Sequence, residues 1–199
     1  MDNKSTLLVL TLIIGTMGAF VVVNGISNFS GFIEYMGFRG ARTGTALSWA
    51  LALLTVALYC YSAASIADVR NHMFRLDGLK AVAIVAAVCA GIVEEVVFRK
   101  WVMDYLESQG FSILSQLAAS ALSFGVFHLL WGLRNHRAGV NAALSTALLG
   151  LALAIVYWLG DRSLAPCIVA HFCVTALIQP GMLIAAQNDR LGYWRARNY

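Results

Sequence analysis

The sequence predicts an all-α fold, a polytopic bundle of about six transmembrane helices with a possible further amphipathic helix. Of its 199 residues, 60% are hydrophobic and 12% are charged, whereas soluble globular chains are nearer half apolar and a quarter charged. The apolar residues lie in long blocks, and about 20 such residues in a helix cross the hydrocarbon of a bilayer. Because no Pro- or Ser-rich linker divides the chain, residues 1–199 are expected to form one transmembrane domain.

Six apolar blocks can be drawn, at about residues 5–23, 45–67, 79 onward, 111–133, 140–159 and 164–186. Residues 25–44 are predicted to be a glycine-rich loop that shapes an entrance for a substrate. The third block contains no proline as far as Glu107, and as one helix it would be about 43 Å long, which exceeds the hydrocarbon thickness. Its second half is rich in charge, so we expect it to be tilted, broken or sheltered, with an amphipathic distal part.

The basic residues predict an orientation. The N-terminus, the second and fourth connections and the C-terminal tail hold nine Lys and Arg residues, and the other connections hold five. The positive-inside rule therefore predicts cytoplasmic termini, and the expected location is a bacterial inner (cytoplasmic) membrane. The tail is predicted to be an interfacial anchor through Tyr193, Trp194, Arg195 and Arg197. The partners expected are the lipid bilayer and not nucleic acid, because the cations form no continuous stripe.

The most informative stretch is Glu94-Glu95-Val96-Val97-Phe98-Arg99. A charge at the centre of a membrane helix costs about 2.5–3.5 kcal/mol even on the gentler scale, so two adjacent carboxylates need compensation. Arg99 lies one helical turn after Glu95 and is close enough to pair with it. Glu94 is about 100° away on another face, where it is free for chemistry. Phe98 lies on the Glu94 face and is expected to keep that carboxylate dry. A solvated helix end at the interface is the alternative.

Two later blocks each contribute a histidine. His128 follows Phe124 by one turn in the fourth block, and His171 lies in the first half of the sixth, with Cys167 and Thr175 each one turn away. Either histidine alone is compatible with a core residue that is hydrogen-bonded to a neighbour. A Glu and two His from three separate blocks instead favour one shared polar cavity, in which they activate a water directly or on a metal.

The remaining histidines and the cysteines carry less information. His72 and His136 lie among charged residues and are predicted to be solvated in loops. All four cysteines fall in apolar blocks without CxxC spacing, which is typical of small packing residues. They are Cys60, Cys89, Cys167 and Cys173.

Together, Glu94-Glu95-x-x-x-Arg99, Phe124-x-x-x-His128 and His171 resemble the three motifs of the CAAX-protease and bacteriocin-processing (CPBP, or ABI) family of intramembrane endopeptidases. The resemblance covers residues 79–186 and implies hydrolysis of a peptide bond in a membrane-associated or hydrophobic peptide or protein substrate. It implies that Glu94 is the general base, assisted by His128. Glu95 and Arg99 would fix the geometry, and His171 would stabilise the oxyanion or bind the water. Phe98 and Phe124 would line the substrate site.

The resemblance leaves the cofactor open. It is compatible with a divalent metal such as zinc, held by Glu94, His128 and His171, and with a glutamate peptidase that needs no metal. A departure also follows from it, because the family commonly has Asn where this chain has Thr175. Either the Thr175 hydroxyl serves the oxyanion, or activity is weak, or the protein is a non-catalytic relative that acts as a scaffold or immunity-type partner. A proton-relay transporter is a third alternative, which the missing repeats disfavour.

Overall fold

A computed structural model describes residues 3–132 and 136–188. Within those residues the chain forms helices and no strands, which confirms the predicted all-α class. Five helices are long and apolar enough to cross a membrane, or up to six if a bent pair at the C-terminal end is one span. The protein is therefore an integral membrane protein with about the predicted number of spans.

The N-terminal part consists of two long helices and two short ones. They are α1 (Asn3–Ser27), α2 (Phe29–Tyr35), α3 (Ala46–Ala63) and α4 (Ala67–His72). The prediction of a loop over residues 25–44 is wrong for its first part, because the Asn28 side chain caps α2 by accepting a hydrogen bond from the Gly31 amide. The chain then turns at Gly37, whose φ of 79° lies in the left-handed region that favours glycine.

The third span is a continuous helical run over residues 78–108. It comprises α5 (Gly78–Glu95), a π-helical segment (Val96–Trp101) and α6 (Val102–Ser108). Asp77 caps its start by accepting a hydrogen bond from the Lys80 amide at 2.9 Å. In its most apolar 18-residue window 61% of the residues are buried by other helices, against 17% for α1 and for α3. The third block was predicted to be tilted, broken or sheltered, and the structure shows that the other helices shelter it.

The next two helices form a closely packed hairpin. They are α7 (Ile113–Phe127), extended by a 3-10 turn (His128–Gly132), and α8 (His136–Leu159). A Cβ atom on Gly125 would lie 2.7 Å from the Ala143 carbonyl oxygen, so the two backbones touch at this glycine. Small residues at helix crossings drive association in membranes because they allow this approach.

The sixth block is not one straight helix. It consists of α9 (Ala165–Ile178) and α10 (Gly181–Gln187), which meet at an angle of 57°. The predicted sixth span over residues 164–186 is therefore bent, and the bend lies here because Pro180 lacks an amide hydrogen and disfavours helix in the residue before it. The buried Lys80 ammonium stabilises the break by donating to the carbonyls of Leu177 at 3.1 Å and Gln179 at 2.6 Å.

Several minor predictions have outcomes here. Cys60, Cys89 and Cys167 are buried and all four cysteines are free thiols, as expected for packing residues. His72 ends α4 and its Nδ1 lies 2.9 Å from the Asp68 carbonyl oxygen, so it is not in a loop. His136 is exposed but begins α8. The predicted interfacial anchor at residues 193–197 lies outside the described residues, as does Arg134.

Candidate active site

The close approach of α9 to α5 positions the candidate site. A Cβ atom on Gly91 would lie 3.3 Å from the Phe172 amide nitrogen. Glycine therefore allows the backbone of α9 to pass against α5 one turn before the two glutamates. His171, the neighbour of Phe172, enters the protein interior beside Glu94 and Glu95 because of this contact. The π-helical segment begins at the next residue, Val96, and π-helical turns are frequent at functional sites.

Glu95 lies at the centre of a fully buried chain of charges. Its Oε2 is 2.9 Å from Arg99 Nε, which confirms the predicted pairing within the helix. Its Oε1 accepts a hydrogen bond from His171 Nδ1 at 2.7 Å. The side chains of Glu95 and Arg99 are both 0% exposed, and Arg99 Nη1 reaches Ser120 Oγ on α7 at 3.5 Å. Glu95 therefore fixes the orientation of the His171 ring, and Arg99 compensates the negative charge of the Glu95 carboxylate.

Glu94 faces the other nitrogen of the same imidazole. Its Oε2 lies 3.7 Å from His171 Nε2, beyond hydrogen-bond distance. This oxygen is buried and has no hydrogen-bond partner within residues 3–132 and 136–188. The prediction that the adjacent carboxylates serve separate faces is thus only partly right. The two side chains are about 100° apart around the helix. The His171 imidazole from α9 nevertheless faces both of them, with Nδ1 toward Glu95 and Nε2 toward Glu94.

His128 comes to the same region from α7. It ends that helix, and its Nδ1 lies 2.8 Å from the Phe124 carbonyl oxygen, which accepts a hydrogen bond from it. The ring is partly exposed and close enough to Glu94 and to His171 for both to act on it electrostatically. Its Nε2 is left available for a further ligand.

The Phe124 ring separates the two histidines. Its centroid is 4.7 Å from that of His128 and 5.7 Å from that of His171. It also stacks under Arg99, whose guanidinium carbon is 4.9 Å from the ring centre. Phe98 packs against it edge-on at 5.1 Å, and Phe124 and Phe98 are 1% and 9% exposed. These two rings make the surroundings of the charged residues apolar, and Phe98 also packs against Phe127.

Two residues near His171 are not recruited to the charged cluster. Thr175 is half-buried, and within the described part of the chain its hydroxyl makes no hydrogen bond. Cys167 Sγ donates to the Leu153 carbonyl oxygen at 3.3 Å, which accounts for it as a packing residue. A Cys167/His171 pair of metal ligands has no support in this arrangement.

The predicted metal ligands do not fit one ion as they stand. In residues 3–132 and 136–188, no three His, Cys, Asp or Glu side chains are grouped as ligands of a metal. His171 commits Nδ1 to Glu95, and only its Nε2 and Glu94 Oε2 face each other.

Sequence reasoning missed two contributors. Ser120 precedes Phe124 and His128 at four-residue steps, so the helical period already placed it on their face of α7. Gly91 is the one glycine between Leu79 and Glu107. A lone glycine in a long membrane helix is a usable signal for close helix packing.

Comparison with known proteins identifies a family. A family model described as type II CAAX prenyl endopeptidase Rce1-like matches residues 77–177. The match covers about half of the chain and includes Glu94, Glu95, Arg99, His128 and His171. No curated protein and no solved structure matches the chain.

Proposed function

The chain belongs to the Rce1-like family of type II CAAX prenyl endopeptidases, and we propose that it is an intramembrane endopeptidase that uses a water activated by Glu94 and His171. Its substrate would be a membrane-associated or hydrophobic peptide or protein, such as a prenylated protein tail. We further propose that it acts in a bacterial inner membrane with both termini cytoplasmic, as the distribution of Lys and Arg favours.

The observation that carries the proposal is the facing pair formed by Glu94 Oε2 and His171 Nε2, 3.7 Å apart. The Glu95 carboxylate can only accept, so in a neutral His171 the hydrogen is assigned to Nδ1 and the Nε2 lone pair faces Glu94. Two acceptors at this separation can both be satisfied by one water that donates a hydrogen to each. The water's lone pairs then point away from both, toward a substrate carbonyl.

The proposed reaction has two steps. Glu94 removes a proton from the water as the oxygen bonds to the scissile carbonyl carbon, which gives a tetrahedral oxyanion. The C–N bond then breaks, and the proton on Glu94 passes to the leaving amine. His171 orients the water, and the role proposed for His128, whose Nδ1 is engaged by the Phe124 carbonyl, is to offer its Nε2 to the same water. Buried Phe124 and Phe98 lower the local dielectric, which strengthens each of these interactions.

Glu95 and Arg99 are proposed as positioning residues that do not touch substrate. Arg99 compensates the charge of the Glu95 carboxylate in an apolar interior, and the carboxylate holds one orientation of the His171 ring. This is the role a buried carboxylate plays toward a catalytic histidine in other hydrolases.

The test is cleavage by purified, reconstituted protein carrying Glu94→Gln. The substrates are a farnesylated CAAX-type peptide and unprenylated hydrophobic peptides, with products identified by mass spectrometry. We expect the wild type to cleave at least one and Glu94→Gln to lose about 10²–10⁴-fold in rate, the range for a general base. Glu107→Gln, on the same helix and 56% exposed, is the matched control. Normal cleavage by Glu94→Gln contradicts the proposal, and so does a wild type that cleaves none.

Thr175 favours a second candidate, a non-catalytic relative that acts as a membrane scaffold or immunity-type partner. Its hydroxyl makes no hydrogen bond to any residue that the structure describes, and it reaches less far than the side-chain amide of an asparagine would. Loss of one hydrogen-bond donor to the oxyanion lowers an enzyme's rate about 10²–10³-fold. If the weak donor at Thr175 limits the rate of a peptidase reaction, Thr175→Asn raises the cleavage rate. If the protein is a scaffold, Thr175→Asn and Glu94→Gln both leave its biological activity unchanged, which rejects the peptidase.

A further inference from the structure

A second polar pocket lies apart from the glutamate–histidine cluster. Its volume is about 290 Å³. It is formed by the connection between α2 and α3, the π-helical segment and the turn between α8 and α9. Its polar and charged lining includes Glu34, Arg39, Arg42, Lys100, Arg162 and Ser163.

The positive charge in this pocket is only partly compensated. Arg162 is engaged by Asp104 at 2.7 Å and Glu107 at 2.8 Å. Lys100 lies 3.8 Å from Asp104. Arg42, in contrast, has no ion pair or hydrogen bond with any residue that the structure describes. An anion in the pocket would therefore meet an unpaired guanidinium, the group that binds phosphate oxygens best.

Ser163 supplies an independent sign of a ligand. It is 2% exposed, and its Oγ has no hydrogen-bond partner within residues 3–132 and 136–188. The turn that presents it is strained, because Asp161 and Arg162 have φ values of 53° and 58°. Gly37 closes over it and leaves no room for a Cβ beside that oxygen. A buried hydroxyl without a partner is costly, so its retention in a charged pocket points to a bound group.

The adjoining helix end favours negative charge. Helix α9 begins at Ala165, two residues after Ser163, and Leu164 at its N-cap position makes no side-chain capping bond. The free amides and the dipole of a helix N-terminus attract anions.

The pocket lies at the level where the spans end. Next to it α3 begins at Ala46, α8 ends at Leu159 and α9 begins at Ala165. Trp101, which is 53% exposed, donates a hydrogen bond to the Tyr35 hydroxyl at 3.2 Å beside it. Exposed Trp and Tyr side chains are enriched in the headgroup region of a membrane.

We propose that this pocket binds the phosphate of an anionic phospholipid headgroup. Arg42 and Arg39 contact the phosphate oxygens, and the Ser163 hydroxyl donates to one of them once the Gly37 turn that covers it moves aside. The volume is near the lower end of small-molecule pockets, so it accommodates the headgroup while the acyl chains remain in the bilayer. The site does not depend on the peptidase reaction, because none of its residues belongs to the glutamate–histidine cluster.

The test measures retention of phosphatidylglycerol and phosphatidylcholine by full-length protein, using native mass spectrometry, with inorganic phosphate as a competitor. We expect phosphatidylglycerol to be preferred. Arg42→Gln and Ser163→Ala should each weaken its binding roughly tenfold, and Arg42→Lys should restore part of it. Arg70→Gln, which removes an exposed arginine beyond α3, at the far end of the bundle, is the control and should have no effect.

The outcomes separate the sources of the phosphate. Ser163→Ala removes an unpartnered group, so without lipid its thermal stability should be equal to or above that of the wild type while lipid binding falls. Equal retention of both lipids by all variants overturns the proposal. Inorganic phosphate that displaces phosphatidylglycerol at comparable concentration overturns the lipid source and leaves a site for free phosphate.

Discussion

Beyond its first turn, the first span satisfies its polar side chains in the opposite way to the third span. At the start of α1, Ser5 and Thr6 donate to Gln187 Oε1 of α10 at 2.7 Å and 3.0 Å. Farther along α1, Thr16 and Asn24 donate to carbonyls of their own helix, Leu12 at 2.8 Å and Phe20 at 2.7 Å. In the run over residues 78–108, Glu95 binds His171, 76 residues away, and Asp104 accepts a hydrogen bond from Tyr157 at 3.0 Å.

Burial explains the difference. The most apolar window of α1 is 17% buried and that of the third span is 61% buried. A helix that faces lipid finds no partner outside itself, so its polar groups bond locally. A helix surrounded by protein can exchange hydrogen bonds with its neighbours, which allows carboxylates and a guanidinium at membrane depth. Glu94, Glu95 and Arg99 therefore lie on the span that the other helices shelter.

The largest effect is expected for Arg99→Met. It leaves the Glu95 carboxylate buried without its cation, and breaking a buried pair on one side costs about 3–5 kcal/mol of stability. Reversible unfolding in mixed micelles measures the loss. Arg75→Met removes an exposed ion pair, 63% exposed on the arginine side, and should cost about 1 kcal/mol or less. Equal losses for both would show that shelter by protein does not matter.

The next effect concerns activity. His128→Ala should lower the cleavage rate about 10²-fold, the lower end for acid–base groups, with little change in unfolding because the ring is partly exposed. Steady-state kinetics should show the loss in kcat. If His128→Ala keeps the full kcat, His128 has no part in the proposed reaction. The proposed site would then consist of residues from α5 and α9 alone.

A smaller effect is expected at the break in the sixth block. Lys80→Met leaves the Leu177 and Gln179 carbonyls without their donor. The expected loss is about 1–3 kcal/mol in total, because removal of a buried ammonium offsets part of the cost of the orphaned carbonyls. Unfolding in mixed micelles measures this, and Lys80→Arg is the variant that keeps the charge. Wild-type stability for Lys80→Met would mean that the carbonyls are satisfied from elsewhere.

The smallest effect is expected for Thr16→Ala. The hydroxyl bonds only within α1, so its loss should change the unfolding free energy by less than about 0.5 kcal/mol. A large loss would show that α1 uses this hydroxyl to contact a partner, which would break the contrast between the two spans.

The sequence by itself determined the features that depend on near neighbours. Long apolar blocks specify membrane helices because the length of the block and the thickness of the bilayer must match. The Glu95–Arg99 pair and the stacking of Phe124 on His128 follow from four-residue spacing, since one helical turn brings such side chains together.

The tertiary structure alone decided the features that join distant parts of the chain. The approach of α9 at Gly91 inserts the His171 imidazole between two carboxylates that the helical period separates. The π-helical segment and the 57° break before α10 likewise depend on how the helices pack. Spacing along a helix says which face a residue occupies, but which helix covers that face depends on packing among all of them, and this information is not local.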